Sequence, residues 1–373
     1  MSAQQHVSTE PRACRVLLVG KGNPDRGGIA AFLDTVQHSD FGQHIGIIFL
    51  NVAHSGTPEG GRPSLTNIGR TLKDSVAVWR HARGCDVVHI HTALVPAVTA
   101  LRAGLLAAAG RARGAVVVVH VHGGNLDLWL TDKVRRRLLQ GALLPAHRVV
   151  AVWEAGARAL SGLLGPARVS LLDNGVDLGR FCEPDAHELV PPRILYVGLL
   201  TPRKGVLDLL EASRLLDERG VVHQLQLLGG TPDEGPEAEA AVRAQLTDRV
   251  QLLGTRTPSD MPPAYAGADI FCLPSWWEAM PLSILEAMAA RLPVVATDVG
   301  DVARAVEHGV TGLVVPARSP GELADALELL LTNRDTRVRM GRAGRARAEA
   351  LYSADVMLSG LAKLYRDAAG RKQ

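Results

Sequence analysis

The sequence predicts an α/β protein of two similar Rossmann-like halves, each a parallel sheet covered by helices, facing each other across a cleft. Three observations predict it. Short apolar runs, several closed by glycine, alternate with helical patterns, the signature of a parallel sheet with covered faces. The alternation pauses once, at the polar, proline-bearing stretch Phe181–Pro192, and then resumes. The length, 373 residues, suits two domains at roughly 150 residues each. We set the halves at 1–185 and 186–353, followed by a last helix.

In the first half, Cys14–Gly20 is a buried strand: four apolar side chains in a run that ends on glycine. Ile45–Val52, Val87–His91, Val116–Val121, Val149–Val152 and Val169–Leu172 have the same character. Helical patterns over Ile29–Val36, Leu65–Ala82 and Leu130–Leu144 fall between them. The longest apolar stretch, Ala93–Gly110, is interrupted by Arg102 and falls short of the roughly 20 residues of a membrane span, so it reads as a buried helix. The second half continues with strands Arg193–Val197, Gln224–Leu228, Val250–Leu253, Ile270–Leu273, Val294–Thr297 and Gly312–Val315. Helices are predicted over Leu207–Glu218, Glu237–Leu246, Leu282–Ala290, Ala303–Glu307 and Pro320–Thr332.

Composition removes several functions. Hydrophobic residues at 47% and charged residues at 21% exclude wholesale disorder. Aromatics at 4% and a net charge of +3 argue against nucleic acid as a partner. Cys14, Cys85, Cys182 and Cys272 have neither metal-ligand nor redox spacing and read as incidental thiols in a reducing cytosol. The start, MSAQQHVSTEPRACR, lacks the apolar core of a secretory leader, which agrees with a cytoplasmic location. The halves differ in charge, +6 for 1–185 and −3 for the remainder. The excess peaks at Lys133-Val-Arg-Arg-Arg137. This is either a solvated helix face or a peripheral contact with an anionic membrane through 133–144.

The first turn, Gly20-x-Gly22-x-x-Asp25, lacks the third glycine of a dinucleotide fingerprint. Gly27 and Gly28, just before a helix, let a ligand approach backbone N–H groups, though turn glycines look the same. There is no Walker motif and no Asp-x-Asp clamp for a metal-bound nucleotide sugar. His89/His91 and His120/His122 each share a strand face, but no carboxylate lies near in sequence, and no metal is expected. His122-Gly123-Gly124 ends a strand at the edge where ligands enter α/β sheets, so His122 is either a sugar-hydroxyl partner or a hydrogen-bonded core histidine.

The second half is more specific. Gly198 ends a strand, and Arg203-Lys204-Gly205 delivers two cations where a helix begins, an arrangement that suits a pyrophosphate. In Leu273-Pro-Ser-Trp-Trp-Glu278-Ala-Met-Pro281-Leu-Ser-Ile-Leu-Glu286-Ala-Met, Pro281 is expected at the first helical position. The N–H groups near Met280, Leu282 and Ser283 are then free to receive phosphate oxygens. Glu278 precedes that helix and Glu286 lies one to two turns within it. One can reach a sugar ring while the other accepts from ribose hydroxyls.

These residues resemble the retaining nucleotide-sugar glycosyltransferases of family four, a bacterial group 1 type with the GT-B fold. The match is the Glu-x7-Glu spacing of Glu278 and Glu286 with its context, followed by Pro293-Val-Val-Ala-Thr-Asp-Val-Gly300. Gly198 with Lys204-Gly205, Asn174-Gly-Val-Asp177, Gly27-Gly28 and His122-Gly123 extend it over most of the chain in the family's order. The resemblance implies that Glu278 contacts the transferred sugar, Glu286 the ribose and His122 a sugar hydroxyl. Lys204, helped by Arg203, neutralises the departing diphosphate, and Gly28 brings backbone close to it. It implies no cofactor and no metal, a UDP- or GDP-sugar donor, and a saccharide or lipid-linked saccharide acceptor. It also implies that the last helix, about 354–373, packs back on the first half. The chain departs from the family at Leu199, where arginine is common, and at Ala279, Trp153 and Asp301-Val-Ala-Arg304. A sugar-nucleotide epimerase or hydrolase, or a non-catalytic sugar-nucleotide-binding partner, would share the same donor half.

Overall fold

The computed structural model describes residues 13–23, 25, 27–41, 44–54, 64–181, 190–230 and 236–370. Cys182, most of the predicted linker (182–189), the leading residues 1–12, and Pro24 and Arg26 of the glycine turn lie outside the described residues.

The first half runs β1 (Cys14–Gly20), α1 (Gly28–Gln37), β2 (Ile45–Asn51), α2 (Leu65–His81), β3 (Val87–Thr92), α3 (Ala97–Arg111), β4 (Val116–Val121), α4 (Leu126–Trp129), α5 (Lys133–Ala142), β5 (Arg148–Ala151), α6 (Glu154–Leu164) and β6 (Val169–Leu171). Its strands form a six-stranded sheet in the order β2-β1-β3-β4-β5-β6, every pairing parallel. The helix expected over Leu130–Leu144 is α5, which starts three residues later and ends two earlier, with the short α4 ahead of it. Asp132 accepts a hydrogen bond from the Arg135 N–H at 2.8 Å and starts α5 afresh, as a capping aspartate does.

The second half runs β7 (Arg193–Val197), α7 (Val206–Glu218), β8 (Gln224–Leu228), α8 (Pro236–Ala244), β9 (Val250–Gly254), α9 (Met261–Ala266), β10 (Ile270–Leu273), α10 (Leu282–Ala289), β11 (Val294–Thr297), α11 (Val302–Ala305), β12 (Gly312–Val315), α12 (Pro320–Thr332), α13 (Arg334–Leu351) and α14 (Ala354–Gly370). Its six-stranded sheet is ordered β12-β11-β10-β7-β8-β9, with parallel pairings throughout.

Strand residues alternate between two cores in the first half. Leu17 and Val19 face the helices α2, α3, α5 and α6. Val16 and Leu18 face Phe32 and Leu33 of α1 and Met357, Leu361 and Tyr365 of α14. The last helix therefore returns from the second half and covers the first sheet. The chain crosses beside itself there: Val176 N–H donates to Tyr352 O at 2.9 Å and Ala354 N–H to Val176 O at 2.8 Å. A polar seam also joins the halves. Asn174 Nδ2 donates to Met280 O at 2.7 Å, and Glu154 N–H donates to Asp301 Oδ2 at 2.9 Å. Arg304 holds both Asp301 and, through two nitrogens, Asp173.

Candidate active site

The β7–α7 turn brings Lys204 under the loop that follows β10. Gly205 is left-handed, with φ 68°, and a Cβ there would lie 1.8 Å from the Pro274 carbonyl oxygen, so only glycine permits the crossing. Lys204 Nζ donates to Glu278 Oε1 at 2.5 Å, and Ser275 Oγ donates to the same oxygen at 2.6 Å. The two charged side chains are 17% and 8% exposed, sheltered enough for the pair to feel little of the solvent's screening. Tyr196 stands behind them and donates to Leu199 O at 2.7 Å. Burial, then the Glu278 charge, push its pKa well up, so it stays a neutral phenol. Arg203 is exposed. It donates to Trp277 O at 3.2 Å with its guanidinium 5.8 Å from the Trp277 ring.

Three helices begin here without a capping side chain: α1 after Gly27, α7 after Gly205 and α10 after Pro281. Their first N–H groups are donors that a polyanion can satisfy. Pro281 is the residue before α10, one position earlier than the sequence predicts; its ψ of 121° is extended, and Leu282 and Ser283 open the helix. Leu282 Cδ1 lies 3.9 Å from where a Gly28 side chain would begin, so the starts of α1 and α10 face each other across the cleft. Gly123 meets Trp277 in the same way, at 3.7 Å. Gly198 packs against the Tyr196 ring. Glu286 is not in contact with Glu278; Tyr265 OH donates to its Oε2 at 2.7 Å. Burial raises the Glu286 pKa, and the Tyr265 hydrogen bond and the Arg180 charge oppose that rise.

The first-half wall is built from imidazoles. His91 and His120 are register partners on β3 and β4, and His89 lies two residues before His91 on the same face. His91 Nδ1 lies 2.8 Å from His122 Nε2, and His89 Nδ1 lies 2.7 Å from Tyr365 OH. Phe32 sets its ring edge-on to His120 and His122. One nitrogen each of His89, His91 and His120 lies within 4.8 Å of the others. That group contains no carboxylate, so a divalent ion there would carry uncompensated charge into the core. Burial holds all four rings neutral, with His89 and His122 pushed down to about 3 and His91 and His120 well below their ordinary value. Among the described residues His91 Nε2 has no partner. An orphaned lone pair is cheaper than an orphaned N–H, so His91 donates through Nδ1 and His122 accepts at Nε2, leaving the His122 proton on Nδ1.

Sequence reasoning missed Ser275, Tyr196 and Tyr265, whose types are unremarkable or whose partners are remote, and it noted His91 only as a strand-face neighbour of His89, not as the partner of His122. Of the departures, Trp153 is buried and sets its ring edge-on to Trp277 at 6.4 Å, filling the back of the cleft. Arg304 has become the clasp between the halves.

Comparison with known proteins agrees with this geometry. A family described as "Glycosyl transferases group 1" matches residues 191–333, and "Glycosyltransferase Family 4" matches residues 49–180. Alpha-D-kanosaminyltransferase of Streptomyces kanamyceticus is 33% identical over 241 residues, 64% of this chain and 60% of that protein. GDP-mannose-dependent alpha-(1-6)-phosphatidylinositol monomannoside mannosyltransferase of Mycobacterium tuberculosis is 31% identical over 281 residues, 70% of this chain and 72% of that protein. Among curated relatives the matched length is shorter in several, 52% and 46% of two D-inositol 3-phosphate glycosyltransferases from Corynebacterium. The crystal structure of Anabaena HepE in complex with UDP-glucose shares the fold, with a TM-score of 0.74 at 19% identity, over 95% of this chain and 99% of that one.

Proposed function

This chain belongs to the group 1, family 4 glycosyltransferases, and from that premise we propose that it moves a sugar from a UDP- or GDP-sugar to a saccharide or lipid-linked saccharide acceptor, with retention, in cell-surface polysaccharide or glycoconjugate synthesis. The observation that carries this reading is the Lys204–Glu278 contact set among three uncapped helix starts. Such a place suits a ligand with a doubly charged leaving group and a hydroxyl-rich ring.

In this reading the donor diphosphate takes Lys204 away from Glu278. The ammonium and the amides of Leu282 and Ser283 then hold the negative charge that grows as the sugar–phosphate bond breaks. Glu278, released, accepts from sugar hydroxyls and fixes the ring. Glu286 accepts from the ribose, and His122 offers its Nδ1–H to a sugar hydroxyl near the anomeric carbon. Gly27, Gly28 and Gly198 leave room for the donor to lie against backbone. The acceptor oxygen attacks on the leaving-group face, and its proton passes to the departing phosphate oxygen. No side-chain nucleophile is required; positioning and charge stabilisation are the protein's part. Arg203 supplies a second cation at the rim in place of the family's arginine at 199. The donor half contains its own cations, so we propose transfer without a metal, by an enzyme at the inner membrane face with a peripheral contact through 133–144.

UDP-sugars, GDP-sugars and the free diphosphates should be screened for thermal stabilisation, then for transfer. A donor that binds at 100 times its Kd stabilises by about 2.7 kcal/mol. Glu278→Gln and Lys204→Ala should each lower kcat by about 10²–10³ while circular dichroism stays native. Full activity in both variants overturns the site. Donor turnover without acceptor points instead to an epimerase or hydrolase, and binding without turnover to a non-catalytic partner. Transfer abolished by EDTA and restored by a divalent ion overturns metal independence.

A further inference from the structure

We propose that the outer surface of the α2–α3–α5 layer docks on an anionic lipid bilayer, with α2 lying in the interface as its apolar element. The docking rests on the function proposed above in one respect: a lipid-carried acceptor gives it its purpose. The surface itself stands on other observations.

Helix α2 is apolar on its solvent side. Its inner side buries Val78 and Thr71, and Asp74, which accepts from Arg102 Nη2 at 2.7 Å. Its outer side carries Leu65, Ile68, Leu72, Val76 and Trp79, exposed by 88, 55, 56, 48 and 43%. Their spacing, three or four residues each time, puts them in one stripe along the helix. Leu101 and Leu105 of the adjoining α3, each about half exposed, widen it. A contiguous apolar surface of this kind on an otherwise well-packed domain marks an interaction site.

The charges around the stripe say what covers it. Lys73, Arg80 and Arg83 flank it, and α5 adds Lys133 and Arg135–Arg137, all exposed. Among the described side chains of residues 64–147, the one exposed carboxylate is Asp132. Trp79 lies under the Arg113 guanidinium at 3.4 Å, an aromatic–cation pair of the sort that sits at headgroup level. A second copy of this chain is a poor occupant, since a two-fold contact would set these cations against themselves. A bilayer with anionic headgroups meets both needs: acyl chains for the stripe, phosphates for the cations. The work is divided, with α5 supplying most of the cations, beside its exposed Val134, and α2 supplying the insertion. Among the described residues no helix is long and apolar enough to cross a membrane, so this is surface attachment.

The test is co-sedimentation of the full chain with phosphatidylcholine vesicles, with and without phosphatidylglycerol, in the absence of donor and acceptor. Wild-type protein should partition onto the anionic vesicles and hardly onto the neutral ones. Leu72→Ser/Val76→Ser should lower the partition coefficient by about tenfold or more. Arg135→Gln should lower it about fivefold at low salt and flatten its salt dependence. Brominated lipid should quench tryptophan fluorescence in the wild type and much less in Trp79→Phe. All these residues are exposed, so melting temperatures should stay close to wild type. Equal binding to neutral vesicles, or binding unaffected by the α2 substitutions, overturns the proposal. So does a wild-type dimer that the α2 double variant converts to monomer with no vesicle binding in either. Vesicle binding with no sugar transfer would count against the proposed function alone, and transfer to a soluble acceptor without vesicle binding against the docking alone.

Discussion

Lys204 and Glu278 meet as opposite charges at 2.5 Å, whereas on the facing wall His91 and His122 meet as neutral rings at 2.8 Å. The first wall suits a ligand that brings charge, because a diphosphate can replace one half of the pair. The second suits hydroxyls, because burial keeps the imidazoles from protonating and fixes which nitrogen donates. The difference teaches that one cleft holds two dielectric settings. Ionic strength and charge substitutions should act on one wall, imidazole protonation on the other.

Acid should produce the largest separation. The four histidines titrate far lower folded than unfolded, so between about pH 3 and 6.5 the unfolded chain binds more protons and stability falls as pH falls. One unit below the ordinary histidine value, each ring costs about 1.4 kcal/mol, which sums to roughly 5.6 kcal/mol for four independent rings. Urea midpoints at pH 7.5 and 5.5 measure this, and His120→Leu should flatten the slope. A midpoint that does not move would show that the rings are hydrated or paired in another way.

A smaller effect tests whether the walls move as a unit. Arg304→Ala removes the clasp to Asp173 and Asp301, both on the seam. We expect a loss of about 1–2 kcal/mol and, more tellingly, more hydrolysis of donor per transfer event, because a looser cleft admits water. An unchanged ratio of hydrolysis to transfer would mean that Arg304 has no part in closure.

The smallest expected effect is at Glu286. Tyr265 opposes the rise that burial imposes on its pKa, so Tyr265→Phe should raise that pKa further. If, as proposed, Glu286 accepts from the ribose, binding needs its ionised carboxylate; nucleotide affinity should then fade at a higher pH in the variant, with a cost under about 1 kcal/mol near neutrality. Isothermal titration with UDP or GDP across pH 5 to 8 checks it. Identical acid limbs would separate Glu286 from the ribose.

What the sequence revealed divides along the same line. The ionic wall is local: cations at a helix start, and two glutamates eight positions apart around a proline, are legible because their neighbours in space are their neighbours in sequence. The imidazole wall is not. That His89 and His91 share a face follows from strand geometry, but their meeting with His120, His122 and Tyr365 depends on strand pairing and on a helix 276 residues away. Most strands fall within a residue or two of expectation, since parallel strands buried on both faces read as plain apolar runs. Helix α13 was not predicted at all. It packs through small residues: a Cβ on Gly341 would lie 2.0 Å from the Arg291 carbonyl, so backbone lies against backbone and no apolar stripe is needed.

The paired crossing at Val176 and Ser353 has a mechanical consequence. Two adjacent peptide segments, hydrogen-bonded side by side, cross between the lobes beside the polar seam, like a door hung on two pins. Bending about that line leaves the bonds between the segments whole, while twisting must shear them. The jaws can part only by breaking the seam bonds of Asn174, Glu154 and Arg304, and the paired segments give them one line along which to return.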